Sequence, residues 1–524
     1  MKKICTLKTM LARSLEFHRD NPAIVEGTRC ITFRELADRT RRMGNGLLDL
    51  GLRKGERVAI LGSNSLENGE SYLAVPNAGL VLVMLNYRLT PHEIQAVLSD
   101  SQPAVLMVHD EFVGHVGQIV NKLSSVRHLI HIGDKTETPR GWLHYETLIE
   151  NSNPGEPEVE ITEDDLAALM YTSGTTGTPK GCMVTHRNFY HVGRSMAFEM
   201  GIGLDNVGII PAPLFHASGL VVLMNGMYSG TASIIMPRWN VEEFMGLVEK
   251  HTVTTGVLAT PMLMFFVDHP MHDRYDLRSL QRLIFAGAPV TPVVFKKAIE
   301  KFGNIFIHGF GTTETVGSVS ILRTADVEQA LSEGRPEILG SCGRSYMDTQ
   351  AEVVDESGRQ VSPGIIGEIR VRGLGMTLGY WHKEEETRHS FRNGWYYTED
   401  LGRVDDQGFI YIVGRKKDMI ITGGENVFPA EVENVLYQHP AVDQAAVIGI
   451  EDPIWGEAVT AFVVKKAGAE VSENDLRSFC RNEIAGYKVP KKVIFIADLP
   501  LSASGKLLKS TLKKRFSSTP FGSA

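Results

Sequence analysis

Short apolar runs recur through the first four hundred residues, as at Arg57-Val58-Ala59-Ile60-Leu61, Ala104-Val105-Leu106-Met107-Val108 and Leu283-Ile284-Phe285-Ala286. Each is long enough for a strand buried on both faces, and helix-like segments separate them, so the pattern predicts an α/β fold. The longest apolar stretch, Ala78 to Leu85, is far too short to span a bilayer and reads as another buried strand. The tail has its own complement of elements: a helix over 429–437, strands over 445–450 and 459–464, and a helix over 473–484. That suffices for a small α+β domain. The polar, punctuated segment Asn151 to Pro157 is the best internal loop, and the charged turn Gly414-Arg415-Lys416-Lys417-Asp418 follows the predicted strand Phe409 to Val413. The expected organisation is a large N-terminal domain over residues 1–413 and a small C-terminal one over 414–524.

Composition narrows the classes. A chain of 524 residues is too long for one ordinary core, and a net charge of -8 with interspersed signs leaves no footprint for nucleic acid or an anionic membrane. The basic start Met1-Lys2-Lys3-Ile4 is followed by Thr6, Lys8, Arg13 and Glu16, which break any apolar signal core, so a cytoplasmic enzyme without integral membrane association is expected. Five cysteines lie far apart without metal-ligand spacing, which favours reduced thiols.

Candidate chemistry begins at Tyr171-Thr172-Ser173-Gly174-Thr175-Thr176-Gly177-Thr178-Pro179-Lys180-Gly181. Glycines at 174, 177 and 181 permit positive φ, so that N–H groups can converge on an anion; hydroxyls and Lys180 suit a polyphosphate. Lys180 does not stand where the Walker lysine would, so the kinase pattern has no support. Four further segments matter. Ile307 to Glu314 offers an aromatic ring, two glycines, hydroxyls and a carboxylate suited to Mg²⁺; read alone, it is as well explained by a strand-to-helix turn. Asp400, with Arg415, suits a ribose diol or a capped turn. Thr422 to Glu431 is a glycine-rich loop entering a helix, and Pro500 to Lys506 ends on a lysine beside glycine.

In this order the motifs resemble the adenylate-forming superfamily, the acyl- and aryl-CoA synthetases and their relatives, from about Leu11 to Lys514. Ile31 to Leu36, Leu85 to Leu89, Pro213-Leu214-Phe215-His216, Gly287-Ala288-Pro289, Gly340 to Arg344, Gly367-Glu368-Ile369 with Gly379-Tyr380, and Asp452 to Glu457 carry the same resemblance. It implies a mobile C-terminal domain and two steps: a carboxylic acid and MgATP give acyl-adenylate and pyrophosphate, then coenzyme A gives the thioester and AMP. Carried over by position, Thr172, Ser173, Gly174, Thr175, Thr176, Gly177 and Lys180 would hold the β and γ phosphates. Gly287, Ala288, Pro289 and Phe310 would surround adenine, followed on their loop by Gly311 and Thr312; Thr313 would touch the α-phosphate, and Glu314 would bind magnesium. Asp400 and Arg415 would take the ribose, Lys417 occupies the hinge, and Gly423, Gly424 and Glu425 form the pantetheine side. Lys506 would bridge the carboxylate and the α-phosphate. With Thr172, Lys180 and His216, the residue beside the acid pocket, it makes up the set expected to act on the reacting groups.

Three positions depart from the family pattern: Glu399 stands where glycine usually precedes the ribose aspartate, Phe310 replaces a tyrosine, and Ala286 a glycine. His216 occupies the place of the aspartate that pairs with an amino-acid ammonium, which argues against an amino-acid substrate. Met224, Phe285, Phe310 and Val316 suggest an apolar acid pocket, and aryl, short, medium and longer acyl acids all stay open. So do delivery to a carrier protein or other acceptor, a nucleotide-binding protein without catalysis, and assembly as a homodimer.

Overall fold

The run Arg57–Leu61 is buried almost throughout, as a strand covered by helices on both faces must be. In the computed structural model, which describes residues 5–172, 179–288, 290, 292–500 and 507–516, it lies inside a seven-stranded sheet. The order across that sheet is Leu143–His144, His128–Ile132, Val105–His109, Arg57–Leu61, Val81–Met84, Leu166–Thr172 and Lys180–Thr185. Its strands are parallel except the last, which returns antiparallel beside Leu166–Thr172. A nine-stranded sheet has a parallel centre, built from Phe306–Gly311, Arg282–Ala286, Thr255–Ala259, Val207–Ile210, Ala232–Ile235 and Pro22–Glu26, with antiparallel strands at both edges.

Helix Leu66–Asn77 is buried along its whole length, so its charges need partners. Arg39, on helix Phe33–Asp49, supplies one: its guanidinium holds Glu70 at 2.8 Å and Glu146 at 2.7 Å, tying three helices together.

By packing, the chain forms two units. The first runs to Leu339 and adds Gly343–Ala351 and Val371–Tyr396; the second joins Gly340–Cys342 and Glu352–Arg370 to the chain from Tyr397 onward. The expected boundary at 413/414 falls within the strand Ile410–Arg415 of the second unit. This unit contains a five-stranded sheet of Glu425–Val427, Ile420–Thr422, Gly456–Lys465 and Val442–Asp452, with Lys492–Phe495 on the far side of Gly456–Lys465. Helices Pro429–Gln438 and Glu473–Glu483 pack Val432, Leu436, Leu476 and Cys480 against it, matching the elements expected from the tail. All five cysteines are free thiols. No helix among the described residues is long and apolar enough to cross a membrane.

Candidate active site

The phosphate-loop candidate is flanked by two neighbouring strands, with Thr172 directly opposite Lys180. Ser173, Gly174, Thr175, Thr176 and Gly177 lie outside the described residues, as do Pro289 and Lys506. Gly181 does not use its licence for positive φ. It sits within the strand Lys180–Thr185, where a Cβ would come 2.9 Å from Cζ of Tyr171, so the bare Cα makes room for that ring. Tyr171 in turn donates its hydroxyl to Asp100 at 2.5 Å.

Glu314 sits where a strand gives way to a single short turn. The strand Phe306–Gly311 runs on through His308-Gly309-Phe310, because Gly309 and Gly311 let the antiparallel neighbour approach; a Cβ on Gly311 would meet the Gly317 carbonyl oxygen at 2.1 Å. A single 3-10 turn, Thr313–Thr315, then presents the carboxylate. Thr315 locks that turn with its single hydroxyl hydrogen, shared between the Thr312 and Gly317 carbonyls 3.0 and 2.7 Å from Oγ1. Val316 closes it at φ 58°, a conformation costly for a buried β-branched residue, and one that the surrounding structure must enforce.

Lys180 and Glu314 meet at Tyr380, which the sequence marked only as part of a Gly-Tyr pair. The Tyr380 hydroxyl donates to Glu314 Oε1 at 2.8 Å, and Lys180 Nζ stands 5.0 Å from the centre of the tyrosine ring. Burial, then the negative charge of Glu314, pushes up the Cys182 thiol and the Tyr380 and Tyr396 hydroxyls. All three stay protonated at neutral pH. The carboxylate therefore accepts one hydrogen bond, from a neutral phenol, and forms no ion pair among the described residues, an oxygen site that suits a hard divalent ion.

The loop carrying His216 is held from beneath. Asn64 donates to the carbonyls of Ala212 and Met236 and accepts from Leu214 N–H at 2.7 Å, while Tyr72 donates to the Leu214 carbonyl at 2.6 Å. His216 caps helix Ala217–Ser229, its Nδ1 accepting from the Ser218 N–H at 3.3 Å. Phe215 packs edge-on against Tyr87 at 5.4 Å. Neither Asn64 nor Tyr72 was legible as functional, since both read as ordinary residues around a buried helix. Among the expected adenine residues, Gly287 takes φ 95°, the Ala288 carbonyl accepts from Thr260, and Phe310 is buried. Phe285 and Met224 are plain core: Phe285 stacks on His308 at 4.7 Å and meets Phe295 edge-on.

In the second unit Asp400 and Arg415 stand opposite each other on paired strands, Asp400 Oδ1 lying 2.6 Å from Arg415 Nε. Glu399, immediately before, adopts φ 60° despite its side chain, and its N–H donates to Glu368 Oε1 at 3.3 Å. Lys417 is exposed at the surface, yet partial desolvation draws its ammonium below the ordinary lysine range. Gly423 and Gly424 form the tip of a two-residue hairpin, with φ 60° and 85°, rather than a loop entering the helix directly; Glu425 begins the returning strand opposite Thr422. A Cβ on Gly423 would touch the Trp455 ring at 3.1 Å, whereas Gly424 faces open space.

Known proteins resemble this chain over nearly its whole length. The family model described as AMP-binding enzyme matches residues 11–381, and that of the AMP-binding enzyme C-terminal domain matches residues 431–506. A feruloyl-CoA synthase of Amycolatopsis sp is 36% identical over 495 residues, covering 94% of this chain and 96% of its own. A fatty acid–[acyl-carrier-protein] ligase of Streptomyces coeruleorubidus is 31% identical, with 97% and 96% covered. The structure of ATP-bound MatB from Rhodopseudomonas palustris superposes with a TM-score of 0.88 at 28% identity, covering 98% of this chain and 99% of that one. The chain belongs to the AMP-binding, adenylate-forming enzymes.

Proposed function

We propose that this enzyme joins a carboxylic acid to the thiol of coenzyme A in two steps, through an acyl-adenylate, with release of pyrophosphate and AMP. The observation that carries this reading is the pairing of a phosphate-suited lysine with a metal-suited carboxylate at one aromatic side chain, Lys180 and Glu314 about Tyr380. Relatives named as CoA ligases support the acceptor.

A carboxylate attacking a phosphate brings two anions together, so the site needs cations more than a base. Glu314 would hold magnesium, which when bound would supply positive charge against the phosphate oxygens. Thr172, Lys180 and the loop between them grip the departing β and γ phosphates. Gly287, Ala288, Pro289 and Phe310 enclose adenine, Thr313 contacts the α-phosphate, and Asp400 with Arg415 takes the ribose hydroxyls. Lys506 steadies the oxygens exchanged between acid and phosphate, and Gly423 and Gly424 leave the backbone bare for the pantetheine arm. Residues 1–413 hold the acid and most of the nucleotide, and residues 414–524 add Arg415 at the ribose, the lysine and the hinge Lys417. His216 borders an uncharged acid pocket. Dependence on ATP and coenzyme A supports a cytoplasmic location.

A panel of aryl and short- to long-chain acids, scored for acid-dependent pyrophosphate release with and without coenzyme A, tests this reading. It expects AMP and thioester only when coenzyme A is added; AMP formation indifferent to coenzyme A overturns it. A carrier protein as acceptor is the second reading, favoured by the similarity to the acyl-carrier-protein ligase.

A further inference from the structure

Lys180 and Glu314 carry opposite charges in one corner of the first unit, yet among the described residues neither forms an ion pair. Tyr380 stands between them. Its ring face supports the ammonium at 5.0 Å while its hydroxyl donates to the carboxylate at 2.8 Å. The tyrosine is itself fixed: its N–H donates to Thr387 Oγ1 at 2.9 Å, and the flanking backbone bonds to the lysine's own strand through Met183 N–H to the Gly379 carbonyl and Trp381 N–H to the Gly181 carbonyl. The Phe391 ring closes against it at 6.0 Å.

This arrangement has a chemical point. A lysine and a glutamate free to approach in a partly desolvated pocket would pair, and the pair would have to break before either could take a ligand. An aromatic ring attracts the cation through its face without neutralising it, and a phenol orients a carboxylate oxygen without adding charge.

We propose that Tyr380 is a positioning residue that keeps Lys180 and Glu314 apart and aims each at its ligand, the ammonium at the triphosphate and the carboxylate at the magnesium ion. The inference rests on the nucleotide site proposed above and names how this chain prepares it.

The test is calorimetric titration of ATP, once in EDTA and once in excess Mg²⁺, with wild type, Tyr380→Phe, Tyr380→Leu and the double variant Tyr380→Leu/Glu314→Gln. Tyr380→Phe keeps the ring and loses only the hydroxyl. Its metal-free affinity should stay within about twofold of wild type, while the tightening produced by Mg²⁺ falls about tenfold. Tyr380→Leu removes the spacer, so Lys180 and Glu314 can pair and metal-free ATP binding itself weakens by about tenfold. Adding Glu314→Gln frees the lysine again and should restore metal-free affinity toward wild type, a rescue that a merely structural role would not give. Equal loss by Tyr380→Phe in both titrations, or no rescue in the double variant, overturns the inference. If Tyr380→Leu does not fold, the two Tyr380→Phe titrations decide alone. Wild type binding ATP without any response to Mg²⁺ would instead overturn the nucleotide-site reading itself.

Discussion

Replacing Glu399 by glycine should make this protein more stable, although it deletes a side chain beside the proposed ribose site. Glu399 holds φ 60°, where a Cβ crowds the following carbonyl. That conformation costs a non-glycine residue about 1–2 kcal/mol, and glycine gives back about 0.5–1 kcal/mol through its freer unfolded chain. The neighbouring hydrogen bonds use main-chain donors, Glu399 N–H to Glu368 and Asp400 N–H to Thr398 Oγ1 at 3.1 Å, and glycine retains both. At the middle of both ranges the net gain is about 0.75 kcal/mol, or ~1.5–3 °C in melting temperature for a domain of ordinary size. Glu399→Ala supplies the control, since alanine removes the carboxylate but keeps the Cβ, and it should melt close to wild type. Scanning calorimetry of the three proteins decides the matter, with the KM for ATP measured alongside and expected to change less than about twofold. If Glu399→Gly and Glu399→Ala melt together, backbone strain at this position is not what separates this chain from its relatives.

Lys506→Ala should slow adenylation on the order of a hundredfold while leaving thioester formation from preformed acyl-adenylate far less affected; equal losses in the two half-reactions would remove the lysine from its proposed role. Asp400→Asn keeps the shape but weakens the acceptor that pairs with Arg415, and the KM for ATP should rise on the order of tenfold in steady-state assays. His186 is wholly buried, its Nδ1 accepts the Leu7 N–H, and burial pulls its imidazole down to about 4. The unfolded chain takes that proton near pH 6.5, so the contribution of neutral His186 is whole above about pH 6.5 and is lost as pH falls to about 4, an acid-side loss of about 3 kcal/mol. Denaturant unfolding between pH 7 and 4 should show a shallower decline for His186→Gln than for wild type.

Much of this is legible in the sequence, for reasons that differ from residue to residue. Buried parallel strands such as Val105–His109 announce themselves because both faces demand apolar side chains. Asp400 and Arg415 are legible as candidates for one site because each brings a distinctive charge, but that the register of two strands sets them against each other is not. Gly181 was misread because glycine serves two purposes, positive φ and absence of bulk, and sequence does not say which; here the Tyr171 ring decides. The extension of the strand through Phe310 was hidden by Gly309 and Gly311, poor strand formers that are needed for a close neighbour. Tyr380 stayed invisible as a site residue because its importance lies in what it separates, which only three dimensions reveal.

The support beneath Leu214 has a consequence for the acid pocket proposed beside His216. The segment Ala212 to His216 issues from the nine-stranded sheet, but the amide and phenol that pin it, Asn64 and Tyr72, come from the crossover between Arg57–Leu61 and Val81–Met84 of the other sheet. The shape of that segment is thus a property of the seam between two sheets, not of its own residues. Libraries confined to positions 212–216 would sample side chains on a nearly fixed backbone, and reaching a differently shaped pocket would require moving the seam.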